Sequence, residues 1–238
     1  MRFRPALRPF TALLDALPSQ CAVCRTWPTR PICDACVARL AAPVERCPTC
    51  AIPTPQGITR CAECVANPPP LDACIAACAY EWPWPEYIAQ FKFHGDAGWA
   101  APLATLMRSA PWGEPALEEC DLVLPMPLAL ERLRERGFNQ ALELARRLAP
   151  GKVDATLLLR TRATTAQSGL LRAERLRNLQ GAFAIEPLRA DEVRGQRIVL
   201  VDDVMTSGAS LFAAAQVLRA GGASHVGAIV LARTGAPQ

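Results

Sequence analysis

The sequence has no long apolar run, and its N-terminus lacks the parts of a secretion signal. No stretch approaches the roughly 20 apolar residues needed to cross a bilayer. The basic first residues lead into an apolar stretch that is too short and is interrupted by Asp15, and no small-x-small cleavage site follows it. These absences predict a cytoplasmic protein without a membrane span.

Lysine and aromatic residues are also scarce. Lys92 and Lys152 are the only lysines among the 26 basic residues, and aromatic residues make up 6% of the chain. Arginine is the better partner for phosphate and carboxylate groups, but we favour biased codon usage as the explanation. Apolar residues at 51% and charged residues at 20% are typical of a globular protein with a real core.

Cysteine, in contrast, is abundant and regularly spaced. Eight of the eleven cysteines form four Cys-x-x-Cys pairs within residues 21–64. Secreted disulfide frameworks rarely take this paired form, whereas zinc knuckles require it. The pairs predict structural zinc, most simply two ions, in a reducing compartment. The proposed ligands are Cys21, Cys24, Cys33, Cys36, Cys47, Cys50, Cys61 and Cys64.

The pairing of these knuckles has two solutions on spacing alone. Two knuckles close one tetrahedral site, so sequential pairing gives two tandem ribbons, and an interleaved pairing is also possible. A thioredoxin-like redox pair would need one Cys-x-x-Cys at a helix start in a βαβ unit, and that context is missing. We interpret Cys74, Cys78 and Cys120 as small buried apolar residues.

The chain divides into a cysteine-rich segment and an α/β segment. Residues 1–66 hold the cysteine pairs, and the stiff sequence NPPPLD at 67–72 is the predicted linker. From residue 73 to 238, apolar strand-like runs alternate with amphipathic segments. Strand–helix alternation predicts a doubly wound, mostly parallel sheet.

A buried strand followed by a small-residue turn is the most informative feature of the α/β segment. In VLVDDVMTSGAS, an apolar run ends at Asp202 and Asp203, whose carboxylates suit the vicinal hydroxyls of a ribose. The turn that follows would cradle a phosphate through backbone N–H groups, hydroxyl donors and a helix N-terminus. Its predicted phosphate-binding residues are Thr206, Ser207, Gly208, Ala209 and Ser210. Together these features resemble the phosphoribosyl-pyrophosphate signature of type I phosphoribosyltransferases.

Two arginine-rich segments lie upstream of this turn. Arg132, Arg134 and Arg136 precede Gly137, which should end a helix, and Asn139 can cap the next helix. We weigh a pyrophosphate site here against a salt-bridged helix face and favour the pyrophosphate. The second segment, residues 164–183, begins as a loop and could cover a ligand as a lid, although a solvated basic helix is the default interpretation.

The ordered set of motifs resembles the ComF family of competence-associated proteins over nearly the whole chain. The set consists of four Cys-x-x-Cys knuckles, FKFHGD, LPMPL with RERGFNQ, TTAQSGLLRAERLRNLQGAF and VLVDDVMTSGAS. The resemblance implies a double zinc ribbon followed by a type I phosphoribosyltransferase-like domain. It also implies a role in DNA uptake during natural transformation, with DNA-uptake proteins as partners.

By position, the resemblance assigns the ribose to Asp202 and Asp203 and the 5-phosphate to the turn of residues 206–210. Serines replace two threonines that family members often carry in that turn. Further residues match family blocks, and the last three of them fall in the lid-like segment; the full set is Lys92, His94, Arg136, Gly137, Phe138, Asn139, Gln140, Gln167, Arg175 and Asn178. Of these, Arg136, Asn139 and Gln140 are predicted to bind the ribose 5-phosphate or the pyrophosphate. For His94 alone, an ordinary surface or core position is the favoured interpretation.

Three functions remain open at this point. The favoured one is a protein that binds phosphoribosyl pyrophosphate, with Mg²⁺, and single-stranded DNA. The alternative is an active Mg²⁺-dependent phosphoribosyltransferase acting on an unidentified nucleobase or amine, and a sensor of the sugar phosphate is a third. No catalytic residue is identified, because the sequence shows no clear pocket for an acceptor base.

Overall fold

In the computed structural model, the structure describes residues 18–93, 97–161 and 181–235. The chain forms two compact units, which meet in sequence between Ala41 and Ala42. This division falls inside the cysteine-rich segment, and the domain boundary at residues 67–72 stays a prediction.

The first unit is a small cysteine-rich unit with little regular structure. Ser19 and Thr29 form an antiparallel bridge, and a short helix, α1, spans Asp34–Leu40. Cys21 is fully buried, and Cys33 and Cys36 are nearly so. The cysteines thus make up much of the interior of a unit that has few other apolar groups to bury.

The second unit is built on a four-stranded parallel sheet. Its strands are β1 (Ala73–Ala79), β2 (Leu122–Pro125), β5 (Arg197–Met205) and β6 (His225–Arg233), in the order β1-β6-β5-β2. Apolar runs such as Ile198–Val201 are buried along their whole length, as expected for strands covered on both faces. The predicted doubly wound parallel sheet is confirmed.

Helices flank this sheet and the loops that leave it. They are α2 (Ala62–Ala66), α3 (Trp84–Phe93), α4 (Ala100–Ser109), α5 (Gly113–Glu119), α6 (Leu130–Arg136), α7 (Gln140–Leu148) and α8 (Ala209–Ala220), with 3-10 turns at Ala97–Trp99 and Pro187–Val193. In the part of the chain that the structure describes, no helix combines the length and apolarity needed to cross a membrane.

Different elements cover the two faces of the sheet. Side chains of β5 such as Ile198 and Leu200 pack in one core with α8 and with the buried cysteines Cys47, Cys50 and Cys64. Successive strand residues point to opposite faces, so the intervening residues face the other side, where α4 and α7 pack on the sheet and on each other. The second half of the cysteine-rich segment therefore helps to cover the sheet.

One predicted strand is shorter in the structure than in the sequence interpretation. The run KVDATLLLR forms a strand only at β3 (Leu158–Arg160), which pairs antiparallel with β4 (Phe183–Ile185). Asp154 interrupts it, because its Oδ1 accepts hydrogen bonds from the backbone N–H groups of Thr156 and Leu157. Such a side-chain turn replaces the ladder bonds that a continuous strand requires.

Candidate functional site

The two aspartates lie inside strand β5 rather than beyond its end. β5 continues to Met205 because β6 runs beside it as far as Arg233, with Asp202 opposite Val230. Asp203 is buried, with 7% of its surface exposed, and Asp202 is half-buried. The Asp203 backbone N–H donates to Asp202 Oδ1 at 2.9 Å. The strand thus holds both carboxyl groups in fixed positions at the carboxyl end of the sheet.

The environment of Asp202 opposes its ionisation. Burial raises the pKa of Asp202, the negative charge of Asp203 raises it further, and the positive charge of Lys92 partly offsets both, so that the pKa reaches about 7. A carboxyl group with a pKa near neutrality is more often found at a functional site than on a structural surface. Asp202 can therefore exchange a proton in the physiological pH range.

Lys92 forms an ion pair with the second aspartate. Its Nζ lies 3.0 Å from Asp203 Oδ1, and both side chains are mostly buried. Lys92 is the penultimate residue of α3, and its carbonyl accepts a hydrogen bond from Gln140 Nε2 at 3.3 Å. Arg136 Nη1 in turn donates to Gln140 Oε1 at 3.0 Å. The sequence marked Lys92 only through the FKFHGD block and did not predict this contact.

Arg160 adds positive charge near the acidic pair. Burial lowers the pKa of Arg160, the positive charge of Arg132 lowers it further, and the negative charge of Asp202 opposes both effects. Arg160 therefore interacts electrostatically with Asp202 and with Arg132. Opposed charges at one sheet edge suit a ligand that carries both hydroxyl groups and phosphates.

The turn after β5 has the geometry of an anion cradle. Gly208 adopts a left-handed conformation with φ of +81°, and a Cβ there would lie 2.7 Å from Phe212 Cζ. Only glycine fits this position, and α8 starts immediately after it with 12 residues. The backbone N–H groups of a first helical turn have no partner within the helix, and such groups can bind an anion. In this turn the Ala209 N–H donates to Ser207 Oγ at 3.4 Å.

The predicted ligand residues of the RGFNQ block make protein contacts. Gly137 ends α6 with φ of +77°, and Asn139 caps α7, as its Oδ1 accepts from the N–H groups of Ala141 and Leu142. Asn139 Nδ2 also donates to the Met126 carbonyl at the end of β2. Gln140 is buried, with 1% exposed. In the structure, Asn139 and Gln140 therefore hold the elements around the site together.

The cysteine pairs assemble sequentially into two clusters of four. Cys21, Cys24, Cys33 and Cys36 form one cluster and Cys47, Cys50, Cys61 and Cys64 the other, each with its sulfurs within 4.8 Å of one another. Individual separations include 3.5 Å between the sulfurs of Cys24 and Cys33 and 3.7 Å between those of Cys50 and Cys61. A tetrahedral Zn²⁺ site with Zn–S of about 2.3 Å requires sulfurs about 3.8 Å apart. Both clusters can hold a structural zinc, and the interleaved pairing is wrong.

The chemistry of the sulfurs also fits a metal. The Thr26 hydroxyl lowers the pKa of Cys24 to about 6. Burial opposes ionisation of Cys47, but hydrogen bonds from Thr49 and from backbone N–H groups outweigh it and lower that pKa to about 6 as well. Burial instead raises the pKa of Cys50 and of Cys64. Burial opposes ionisation of Cys21, but backbone hydrogen bonds lower the pKa of Cys21 as well. Each cluster thus favours thiolate at one or two of its sulfurs, and a zinc ion would favour thiolate at the others.

The three remaining cysteines are buried, as predicted: Cys74, Cys78 and Cys120 are at most 5% exposed. Three further predicted site residues, Gln167, Arg175 and Asn178, lie outside the described residues, as does His94.

Comparison with known proteins gives two kinds of match. The model of the phosphoribosyl transferase domain matches residues 133–238. DNA utilization protein YhgH of Salmonella typhimurium is 33% identical over 214 residues, which cover 85% of this chain and 90% of the relative. Competence protein F of Haemophilus influenzae is 29% identical over 180 residues, covering 73% and 78%. Competence protein ComFC of Bacillus subtilis is 32% identical over 150 residues, covering 63% and 59%.

Proposed function

The chain belongs to the ComF family, and from that membership we propose that it binds phosphoribosyl pyrophosphate and single-stranded DNA and takes part in DNA uptake in the cytoplasm. The observation that carries the first part is the acidic pair of β5 beside the Gly208 turn. The names of the relatives, which refer to DNA utilization and competence, support the second part.

The proposed ligand matches the charges at the carboxyl end of the sheet. The ribose hydroxyls would donate to Asp202 and Asp203, and the 5-phosphate would accept from the N–H groups and hydroxyls of residues 206–210. The pyrophosphate would lie towards Arg132 and Arg160. Mg²⁺ prefers oxygen ligands and is bound through carboxylates and phosphates, so it would enter together with the ligand.

Paired substitutions test this placement. We expect phosphoribosyl pyrophosphate with Mg²⁺, at about 100 times its Kd, to stabilise the native protein by about 2.7 kcal/mol. The double variant Asp202→Asn with Asp203→Asn should lose that stabilisation in a thermal-shift assay. Asp191→Asn changes an exposed aspartate on the 3-10 turn and should keep it. An unchanged shift in the double variant would refute the placement.

A surface beside the site supports the DNA-binding part of the proposal. Helix α6 has no buried residue, and Arg134 is exposed on it. The guanidinium of Arg136 lies 5.1 Å from the ring centroid of Phe93, whose side chain is 67% exposed. Exposed aromatic rings beside arginines are the surfaces on which unpaired bases stack.

Salt dependence and one truncation test this surface. Affinity for a single-stranded oligonucleotide should fall steeply with salt, with a log–log slope of about −0.7 per phosphate contacted. Phe93→Ala should weaken binding by about 1–3 kcal/mol through lost stacking. Leu188→Ala removes another exposed apolar side chain and serves as the control. A flat salt profile, or equal effects of the two truncations, would contradict the DNA-binding proposal.

The match to the phosphoribosyl transferase domain favours a second candidate, an active transferase. Such an enzyme would release pyrophosphate when an acceptor displaces it from the ribose. Incubation with phosphoribosyl pyrophosphate, Mg²⁺ and a panel of bases, followed by a pyrophosphate assay, separates the two candidates. Release that depends on one base and is lost in Asp202→Asn would establish the transferase; binding without release favours the first proposal.

A further inference from the structure

A buried arginine at the end of β6 lies between the second cysteine cluster and the turn after β5. Arg233 is 5% exposed, and its Nε donates to the Cys50 carbonyl at 2.9 Å. Its Nη1 donates to the carbonyls of Met205, at 3.3 Å, and of Thr206, and to the Thr234 carbonyl at 2.7 Å. One guanidinium therefore contacts a knuckle on one side and the start of the predicted phosphate turn on the other.

The knuckle end of this connection is held at several points. The turn of residues 47–51 supplies two of the four sulfurs of its cluster. Arg46 Nη1 donates to the Ala51 carbonyl at 3.0 Å, and the Cys74 N–H of β1 donates to the Pro48 carbonyl at 2.6 Å. A metal ion bound by the four sulfurs would fix this turn, and with it the carbonyl that Arg233 contacts.

The turn end is held by the same side chain and by the pairing of β5 with β6, in which Met205 lies opposite Arg233. Met205 and Thr206 are the residues whose carbonyls Arg233 binds, and they lead directly into Gly208 and the N-terminus of α8. The Thr234 N–H also donates to the Met205 carbonyl at 3.1 Å. Because the turn would bind phosphate through backbone N–H groups, its affinity depends on how well those groups are pre-organised.

We propose that Arg233 is a positioning residue that couples the second cysteine cluster to the phosphate turn, so that a metal ion on Cys47, Cys50, Cys61 and Cys64 raises the affinity of the turn for phosphate. The formal charge of a zinc ion with four thiolates is −2, which favours a guanidinium beside it. Coupling of this kind is reciprocal, so a bound phosphate must also tighten the metal site by the same factor. This inference rests on the proposed phosphoribosyl-pyrophosphate site.

The decisive variant keeps the positive charge of Arg233 and removes its planar guanidinium group. In Arg233→Lys a single ammonium cannot span both carbonyl groups as the planar guanidinium does. With both clusters loaded with zinc, the Kd for phosphoribosyl pyrophosphate and Mg²⁺, measured by calorimetry, should rise about tenfold, within the usual range of coupling between sites. Arg108→Lys makes the same exchange at an arginine that donates to the carbonyls of Arg147 and Leu148 at the C-terminal end of α7, and it should change that Kd by less than about twofold.

The rate of metal release provides a second measurement, which the ligand would not change if Arg233 had only a structural role. Phosphoribosyl pyrophosphate should slow transfer of one zinc ion, but not of the other, from the wild-type chain to a chelator. In Cys61→Ser the protected zinc should be absent, whereas Cys24→Ser, the matched change in the first cluster, should keep it. In Arg233→Lys the protection should disappear while both zinc ions remain bound at the start.

Two negative results are distinguishable. If the wild-type chain binds neither phosphoribosyl pyrophosphate nor inorganic phosphate, the proposed function and the coupling are refuted together. If it binds the ligand, but Arg233→Lys has the wild-type Kd or the ligand protects neither zinc, the coupling alone is refuted. Protection of the zinc in the first cluster would also overturn it.

Discussion

Asp202→Asn should stabilise the ligand-free protein, and it should do so only where the wild-type carboxyl group is ionised. The pKa of Asp202 is raised from 3.8 to about 7, first by burial and then by the charge of Asp203. The folded state therefore binds a proton that the unfolded chain has already released. A raised pKa of this kind contributes stability below the unfolded value and loses it as the pH rises through the folded value.

The size of the change in the free energy of unfolding follows from the pKa shift of Asp202. Three pKa units correspond to about 4 kcal/mol between the two limits. Between pH 5.5 and pH 8 the wild-type protein crosses only the upper part of this range, about 1.5 units, which is worth about 2 kcal/mol. Asparagine does not titrate. The stability advantage of Asp202→Asn over the wild type should therefore grow by about 2 kcal/mol from pH 5.5 to pH 8.

Urea denaturation followed by circular dichroism, with zinc saturating, measures this difference at each pH. The two proteins differ only at residue 202, so contributions common to both cancel in the comparison. In thermal scans the same difference amounts to about 4–8 °C for a unit of this size. Asp191→Asn, which neutralises an exposed aspartate, should show no comparable growth with pH. A constant difference between Asp202→Asn and the wild type would refute the electrostatic account.

Three further perturbations test the ion pair of Lys92, the cap of α7 and the cysteine clusters. Lys92→Met should destabilise the protein by about 3 kcal/mol at pH 8 in urea denaturation, because it leaves Asp203 buried without its ammonium partner; a smaller loss at pH 5.5 is expected, and an equal loss would contradict this. Asn139→Ala should cost about 1 kcal/mol in the same assay through the lost cap of α7, whereas the exposed Asn67→Ala should cost less. A chelator in denaturant should release about two zinc ions per chain in a colorimetric assay; release of none would return the cysteines to redox chemistry.

The parts of the fold that depend on apolar pattern could be predicted from the sequence. The run before Asp202 is a strand buried on both faces, and the glycine turn starts a helix, because both follow from local residue preferences. The regular spacing of the cysteines predicted two sites of four ligands. The choice between sequential and interleaved pairing required coordinates, since spacing alone allows either.

The parts that depend on polar side chains could not be predicted in this way. The apolar pattern extends a strand across Asp154, but the strand begins only at Leu158, because the Asp154 carboxylate accepts hydrogen bonds from two backbone N–H groups. Gln140, predicted as a ligand residue, is buried and donates to the carbonyl of Lys92. That contact joins residues 48 positions apart, and no periodicity encodes it. The ion pair of Lys92 with Asp203 also joins residues that are far apart in the sequence, and no periodicity encodes it.

The acidic pair lowers the stability of the ligand-free protein, and this unfavourable interaction favours binding of the proposed ligand. One carboxyl group is held by Lys92, and the other keeps a raised pKa because its neighbour is already charged. A ligand that brings hydroxyl donors and a divalent cation would relieve both effects, since hydrogen bonds and positive charge favour the ionised form. Ligand binding should therefore release the proton of Asp202, so that affinity increases with pH through about 7. The charge arrangement that destabilises the empty site is thus the one that would favour its proposed ligand.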